Sequence, residues 1–174
     1  MKIKNTNNSL KIILSVGDES GVGPEIILKA LYSCEFRENI DFILVGSKKN
    51  LQNTYLHLKN LGLKNLANPN KLEIHDLEIT ASENESKSSY GNSSFYYLTK
   101  AIEIVKQYPN SALVTGPISK KSWSLAGHNF SGQTEVLAQS CGVKNVGMLF
   151  TAKSPITGWR FNTLLATTHI SLCE

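Results

Sequence analysis

Cysteine is scarce in this chain of 174 residues, which holds only Cys34, Cys141 and Cys173. The number is odd, the spacing is wide and no C-x-x-C pair occurs. Neither a disulfide framework nor a cysteine zinc site is expected, and reduced thiols in a cytosol fit better. Long apolar runs are missing too. Nothing approaches the roughly 18 residues needed to cross a bilayer, and the short Ile12-Ile13-Leu14 run, soon followed by Asp18 and Glu19, is too brief for a signal-peptide core. The expectation is a soluble, cytoplasmic protein with no membrane partner. Basic clusters are also lacking: the net charge of +4 comes from 18 Lys and Arg against 14 Asp and Glu, spread along the chain. Nucleic-acid binders concentrate such charge and interleave aromatic residues, so no nucleic-acid partner is expected. A mild positive balance suits a small anionic substrate, and it suits solvated surface lysines equally well. With 41% hydrophobic and 18% charged residues, the composition is that of one ordinary globular domain, or of a piece of something larger.

What is present is an alternation of apolar runs and amphipathic stretches. Residues 11–16 read as a buried strand closed by Gly17. A helix should follow, with Pro24 at its first position, where a missing N–H costs nothing, and Glu25 near the positive end of the helix dipole. Residues 41–45 read as a second strand ended by Gly46. Leu51, Tyr55, Leu58 and Leu61 then mark one face of a helix that stops at Gly62. Leu72 and Ile74 alternate with Glu73 and His75, predicting a half-exposed strand with His75 toward solvent.

Residues 80–94, dominated by Ser, Asn, Glu and Gly, read as a loop or flap. A helix over 94–108 and a third buried strand over 112–115 follow, the latter turned sharply by Gly116-Pro117. Residues 134–141 predict another helix. Residues 146–150 and 163–168 predict two further strands, joined through Pro155, Gly158 and Trp159. This order predicts an α/β fold, a mostly parallel sheet with helices on both faces.

In open α/β sheets the ligand lies beyond the carboxyl ends of the strands, which directs attention to the loops after Val16, Val45, Thr115 and Thr168. The first, Gly17-Asp18-Glu19-Ser20-Gly21-Val22-Gly23-Pro24-Glu25, has glycines that permit close backbone approach ahead of a helix N-terminus able to hold an anion. It is neither a P-loop nor a G-x-G-x-x-G fingerprint, and a plain strand-to-helix turn explains it equally well. In Thr115-Gly116-Pro117-Ile118-Ser119-Lys120, a hydroxyl and a lysine could meet a phosphate or carboxylate, or the lysine could simply be solvated. Gly132 breaks the chain ahead of Gln133 and Thr134, which sit at a helix start either as ligand contacts or as a cap. His169, at the end of the last strand, could ligate a metal, although one imidazole is not a site.

Taken in order, Gly17-Asp18 with Gly21-Val22-Gly23-Pro24-Glu25, Leu113 to Lys120, Gly132-Gln133-Thr134-Glu135, and Ala166-Thr167-Thr168-His169-Ile170-Ser171-Leu172 closely resemble the 4-hydroxythreonine-4-phosphate dehydrogenase family. The resemblance runs over nearly the whole chain, but members are roughly twice as long, so the chain resembles their N-terminal half. It implies a fold like that of isocitrate and isopropylmalate dehydrogenases, cut partway through two domains, with a first portion over 1–130 and the start of a second over 131–174.

The activity implied is NAD-dependent, divalent-metal-assisted oxidation of 4-phosphohydroxy-L-threonine, with decarboxylation to 3-amino-2-oxopropyl phosphate, in pyridoxal phosphate biosynthesis. Such a metal, Zn, Mg or Co, would favour the alkoxide as hydride leaves and then steady the enolate. The resemblance also implies a homodimer at full length. His169 matches the first of three metal-binding histidines, and Gln133 and Thr134 match a pair that contacts substrate. Position 133 is often His in the family, and Gln can hydrogen-bond but cannot shuttle a proton, so it should orient substrate. Catalytic and cofactor-binding residues are not assigned. His57, His75 and His128 do not match the other two metal ligands, so the chain by itself is expected to be inactive. Uncovered strand and helix faces should also make it aggregate or stay molten. The alternatives are a dehydrogenase of a related four-carbon sugar-acid phosphate and a non-catalytic phosphate-binding module.

Overall fold

A computed structural model describes residues 9–33, 39–77 and 86–167. Cys34, Cys173 and His169 lie outside the described residues, and Cys141 is an exposed free thiol. The chain forms two compact units, Met1–Gly132 and Gln133–Glu174.

In the first unit, strands β1 (Leu10–Ser15), β2 (Ile40–Gly46), β3 (Glu73–Asp76) and β4 (Ser111–Thr115) form a sheet in the order β3-β2-β1-β4. All three pairings are parallel. Helices α1 (Gly23–Ser33), α2 (Lys48–Asn60) and α3 (Lys87–Val105) make the crossovers, and a short α4 (Lys120–Leu125) follows β4. Parallel strands require such crossovers, and these cover both faces. The strands therefore read as continuous apolar runs: Leu14, Val16 and Leu44 pack with Ile27, Leu28, Leu51, Leu58 and Leu66 on one face. Ile13 and Val45 pack with Tyr97, Ala101 and Ile104 on the other. The expected α/β class and mostly parallel sheet are what the chain has.

Several local expectations are corrected. Residues 87–93 are not loop but the start of α3, capped by Ser86, whose side chain accepts from the Ser89 N–H. Their small polar character serves close helix packing, because a Cβ on Gly91 would lie 2.0 Å from the Ser122 carbonyl oxygen of α4. Leu61 is exposed and lies past the end of α2, where Gly62 turns the chain at φ +87°. Strand β4 is not fully buried: Val114, opposite Leu14 in register, is 47% exposed, because β4 is an edge of the sheet among the described residues. Residues 72–75 do alternate as expected, with Leu72 and Ile74 half-buried and Glu73 and His75 exposed, and Asp76 is exposed as well.

The second unit contains α5 (Gln133–Cys141) and a hairpin of β5 (Leu149–Lys153) and β6 (Arg160–Leu164). These strands are antiparallel, in register from Leu149↔Leu164 to Lys153↔Arg160. They are displaced from the expected strands at 146–150 and 163–168 and do not join the parallel sheet. Residues 146–148 precede β5 and residues 165–167 follow β6, so neither expected strand coincides with the hairpin. Pairing is set by the turn, where Ser154 Oγ accepts from the Ile156 and Thr157 N–H groups and Gly158 has φ +71°. No helix among the described residues is long and apolar enough to cross a membrane.

Candidate functional site

Chain reversal between β1 and β4 marks the switch point of the sheet, where α/β folds usually open a crevice. Here the two loops close on each other through backbone. Asp18 N–H donates to the Pro117 carbonyl at 2.9 Å, and Gly116 N–H donates to the Ser15 carbonyl at 2.7 Å. A Cβ on Gly17, whose φ is +79°, would lie 2.3 Å from the Pro117 oxygen, and one on Gly116 would lie 2.3 Å from the Val16 oxygen. These glycines therefore permit the close backbone approach of the two loops.

Side chains on this rim are tied down as well. Asp18 is buried, and its Oδ1 accepts both the N–H and the hydroxyl of Ser20 at 2.9 and 2.8 Å. Glu19 Oε1 accepts from the hydroxyl of Tyr97, a residue only 1% exposed beneath the sheet. Burial first, and then the Glu19 carboxylate, push the Tyr97 phenol far above its ordinary range, so it stays protonated as a donor. In the β4–α4 loop, Thr115 is half-buried and Lys120 is exposed. Ser119 caps α4 by accepting from the Ser122 N–H.

Gln133 and Thr134 are the first two residues of α5, and both are half-buried. Adjacent positions in a first turn bring two polar side chains together with N–H groups that have no partner inside the helix, a combination suited to an anionic or polyhydroxy ligand. Val136, one turn in, is buried and anchors the helix start. The third predicted site residue, His169, falls outside the described residues. Among the described residues no group of three or more His, Cys, Asp or Glu could hold a metal ion.

Two features escaped the sequence reading. Tyr97 was not singled out, since nothing in the sequence near it indicates a hydroxyl partner at Glu19. His128 was set aside as not matching a metal ligand. Its ring stacks on Phe95, with centroids 3.8 Å apart, and desolvation lowers its pKa from the ordinary histidine value. The spacing of Asn92 and Phe95, three residues apart on one helix, was the available signal.

Comparison with known proteins places these motifs in context. The 4-hydroxythreonine-4-phosphate dehydrogenase of Nostoc sp. is 44% identical over 169 residues, covering 93% of this chain and 47% of that protein. The enzyme of the same name from Synechococcus sp. (strain RCC307) is 44% identical over 164 residues, covering 93% of this chain and 49% of that protein. The chain thus spans about half the length of the curated relatives it matches. The crystal structure of a 4-hydroxythreonine-4-phosphate dehydrogenase from Burkholderia phymatum has the same fold, with a TM-score of 0.73 at 22% identity over 95% of this chain and 52% of that one. The family model described as "Pyridoxal phosphate biosynthetic protein PdxA" matches residues 38–174. By that match the chain belongs to the PdxA family.

Proposed function

We propose that this chain is the N-terminal half of an NAD-dependent, divalent-metal-assisted dehydrogenase. It oxidises 4-phosphohydroxy-L-threonine, with decarboxylation to 3-amino-2-oxopropyl phosphate, in pyridoxal phosphate biosynthesis. The observation that carries this reading is the 44% identity, across 93% of the chain, to relatives named for that dehydrogenase activity. The start of α5 supports it, since Gln133 and Thr134 stand together in one first turn. In this reading Gln133 orients the substrate by donating and accepting hydrogen bonds, and Thr134 contributes a hydroxyl. Neither moves a proton. His169 supplies one ligand to the metal, and the remaining ligands and most of the nicotinamide site come from polypeptide that this chain does not include. The complete enzyme acts as a cytoplasmic homodimer, and the chain by itself is inactive.

The experiment is an assay of NADH formation from 4-phosphohydroxy-L-threonine with a divalent metal. It compares the 174-residue chain with a chimera in which the chain replaces the matching half of the Nostoc relative. The chain by itself should form no NADH and the chimera should. Turnover by the chain would overturn its assignment as an inactive half. A folded chimera that prefers a four-carbon sugar-acid phosphate would overturn the substrate.

A further inference from the structure

Strand β4 ends the parallel sheet among the described residues, and its two faces differ. Leu113 packs with Ile13, Tyr97 and Ala101 on the side of α3. The opposite face carries Ala112 and Val114, in register with Ile12 and Leu14 of β1. Leu14 is buried in the core formed with α1 and α2, whereas Val114 is 47% exposed and Ala112 is exposed too. The apolar layer that covers β1 thus stops short of β4.

Helix α1 borders this gap with an apolar flank of its own. Leu28 lies toward α2, sharing a core with Leu51 and Leu58. Ile26 and Ala30, each two residues from Leu28, stand about 200° round the helix from it and so on the side away from α2. That side is the side of β4, because β1 lies between β2 and β4. Ile26 is 44% exposed, and Ala30 is exposed.

The two edges of the sheet are also built differently. β3 exposes Glu73, His75 and Asp76, the polar kind of edge that resists pairing. β4, Ser111-Ala112-Leu113-Val114-Thr115, has no charged residue. A second copy seated edge to edge about a two-fold axis would run antiparallel to β4, yet every pairing in this sheet is parallel. Parallel sheets grow by crossovers of their own polypeptide, and a strand with its crossover takes a dozen or more residues. The relatives named above have that length to give, since this chain covers only 47% and 49% of them.

We propose that the groove between α1 and β4 seats polypeptide from the second half of the enzyme, which returns to the first unit, adds a parallel strand at β4 and lays a helix over Ile26, Ala30, Ala112 and Val114. This rests on the reading of the chain as an N-terminal half. The first unit then shares its core with the second half, and separating the halves strips it of part of that core.

The test uses the chimera that joins this chain to the second half of the Nostoc relative. Val114→Cys and, separately, Ile26→Cys are treated with a maleimide, and labelling of each engineered site is followed by peptide mass spectrometry. Both should label about a hundredfold more slowly in the folded chimera than in urea, because labelling then waits for local opening. Labelling at the urea rate would overturn the inference, and Ile26→Cys serves if Val114→Cys does not fold. p-Benzoylphenylalanine in place of Ile26 identifies the occupant. Its photocrosslink should fall within one polypeptide, on residues of the relative's half. A crosslink to a second copy, or only to residues 1–174, would overturn the inference. NADH formation by the same chimera is a separate readout. Turnover with unprotected cysteines sinks this inference alone, and protected cysteines without turnover sink the substrate reading alone.

Discussion

The Tyr97 hydroxyl, carried by α3 beneath the sheet, donates to Glu19 in the loop after β1 at 2.5 Å. The bond joins the first strand-end loop to a helix 78 residues later in the chain. Because burial and the neighbouring carboxylate keep the phenol protonated, the donor persists at every pH at which the protein is folded and Glu19 is ionised. Tyr97→Phe keeps the packing and removes the bond. It should lower the unfolding free energy by about 1.5–3 kcal/mol, the range for hydrogen bonds to charged groups. Urea denaturation checks this, and an unchanged midpoint would mean that the pair adds nothing.

Two glycines with positive φ provide an internal comparison. Gly62, at φ +87°, has open space where a Cβ would go, so Gly62→Ala should cost about 1–2 kcal/mol from backbone conformation. Gly17, at φ +79°, would also drive a Cβ to 2.3 Å from the Pro117 oxygen, adding an overpacking penalty of about 1–3 kcal/mol. Parallel unfolding curves should therefore rank Gly17→Ala as clearly the more damaging. Equal effects would contradict the loop-on-loop packing at the switch point.

Acid should weaken the first unit through His128. Desolvation depresses its folded pKa below the unfolded value, so the unfolded chain binds more protons as pH falls through the ordinary histidine range. Stability should then be full above that unfolded value and decline as pH drops through the window between the two. His128→Phe removes the titrating group and should flatten that part of the profile. Thermal melts across this window decide it: an identical slope in the two proteins would show that the ring is not the source.

Exposed apolar side chains crowd the hairpin. Phe150 and Phe161 share one face of β5–β6, Leu149 and Leu164 share the other, and Ile156 at the turn is 93% exposed. A two-stranded hairpin is marginal in water, and a patch of this kind promotes association. The chain should scatter light increasingly as its concentration rises, and the double substitution Phe150→Ser and Phe161→Ser should suppress this. Equal scattering would assign the association to another surface.

How much of this was legible in the sequence varied with the source of the signal. β1 and β2 were readable because strands covered on both faces are apolar throughout, as Ile13, Leu14, Ile43 and Leu44 are. The start of α3 was not, since Gly91, Ser93 and Ser94 are small for reasons of helix contact, and composition cannot tell contact from a loop. The strands at 146–150 and 163–168 were misplaced because the hairpin follows its turn chemistry and its apolar residues face outward. At the candidate site, Gln133 and Thr134 were readable from the break at Gly132, and they do open α5. Tyr97 and His128 were not, because their partners, Glu19 and Phe95, are distant in sequence and brought close only by the fold.

The most direct test of the account replaces Gln133 and Thr134 in the chimera described above and measures NADH formation from 4-phosphohydroxy-L-threonine. If the start of α5 binds this substrate, Gln133→Ala and Thr134→Val should each lower kcat/KM by about tenfold, close to the effect of one lost hydrogen bond. Wild-type kcat/KM in both variants would contradict the assignment of these residues to substrate.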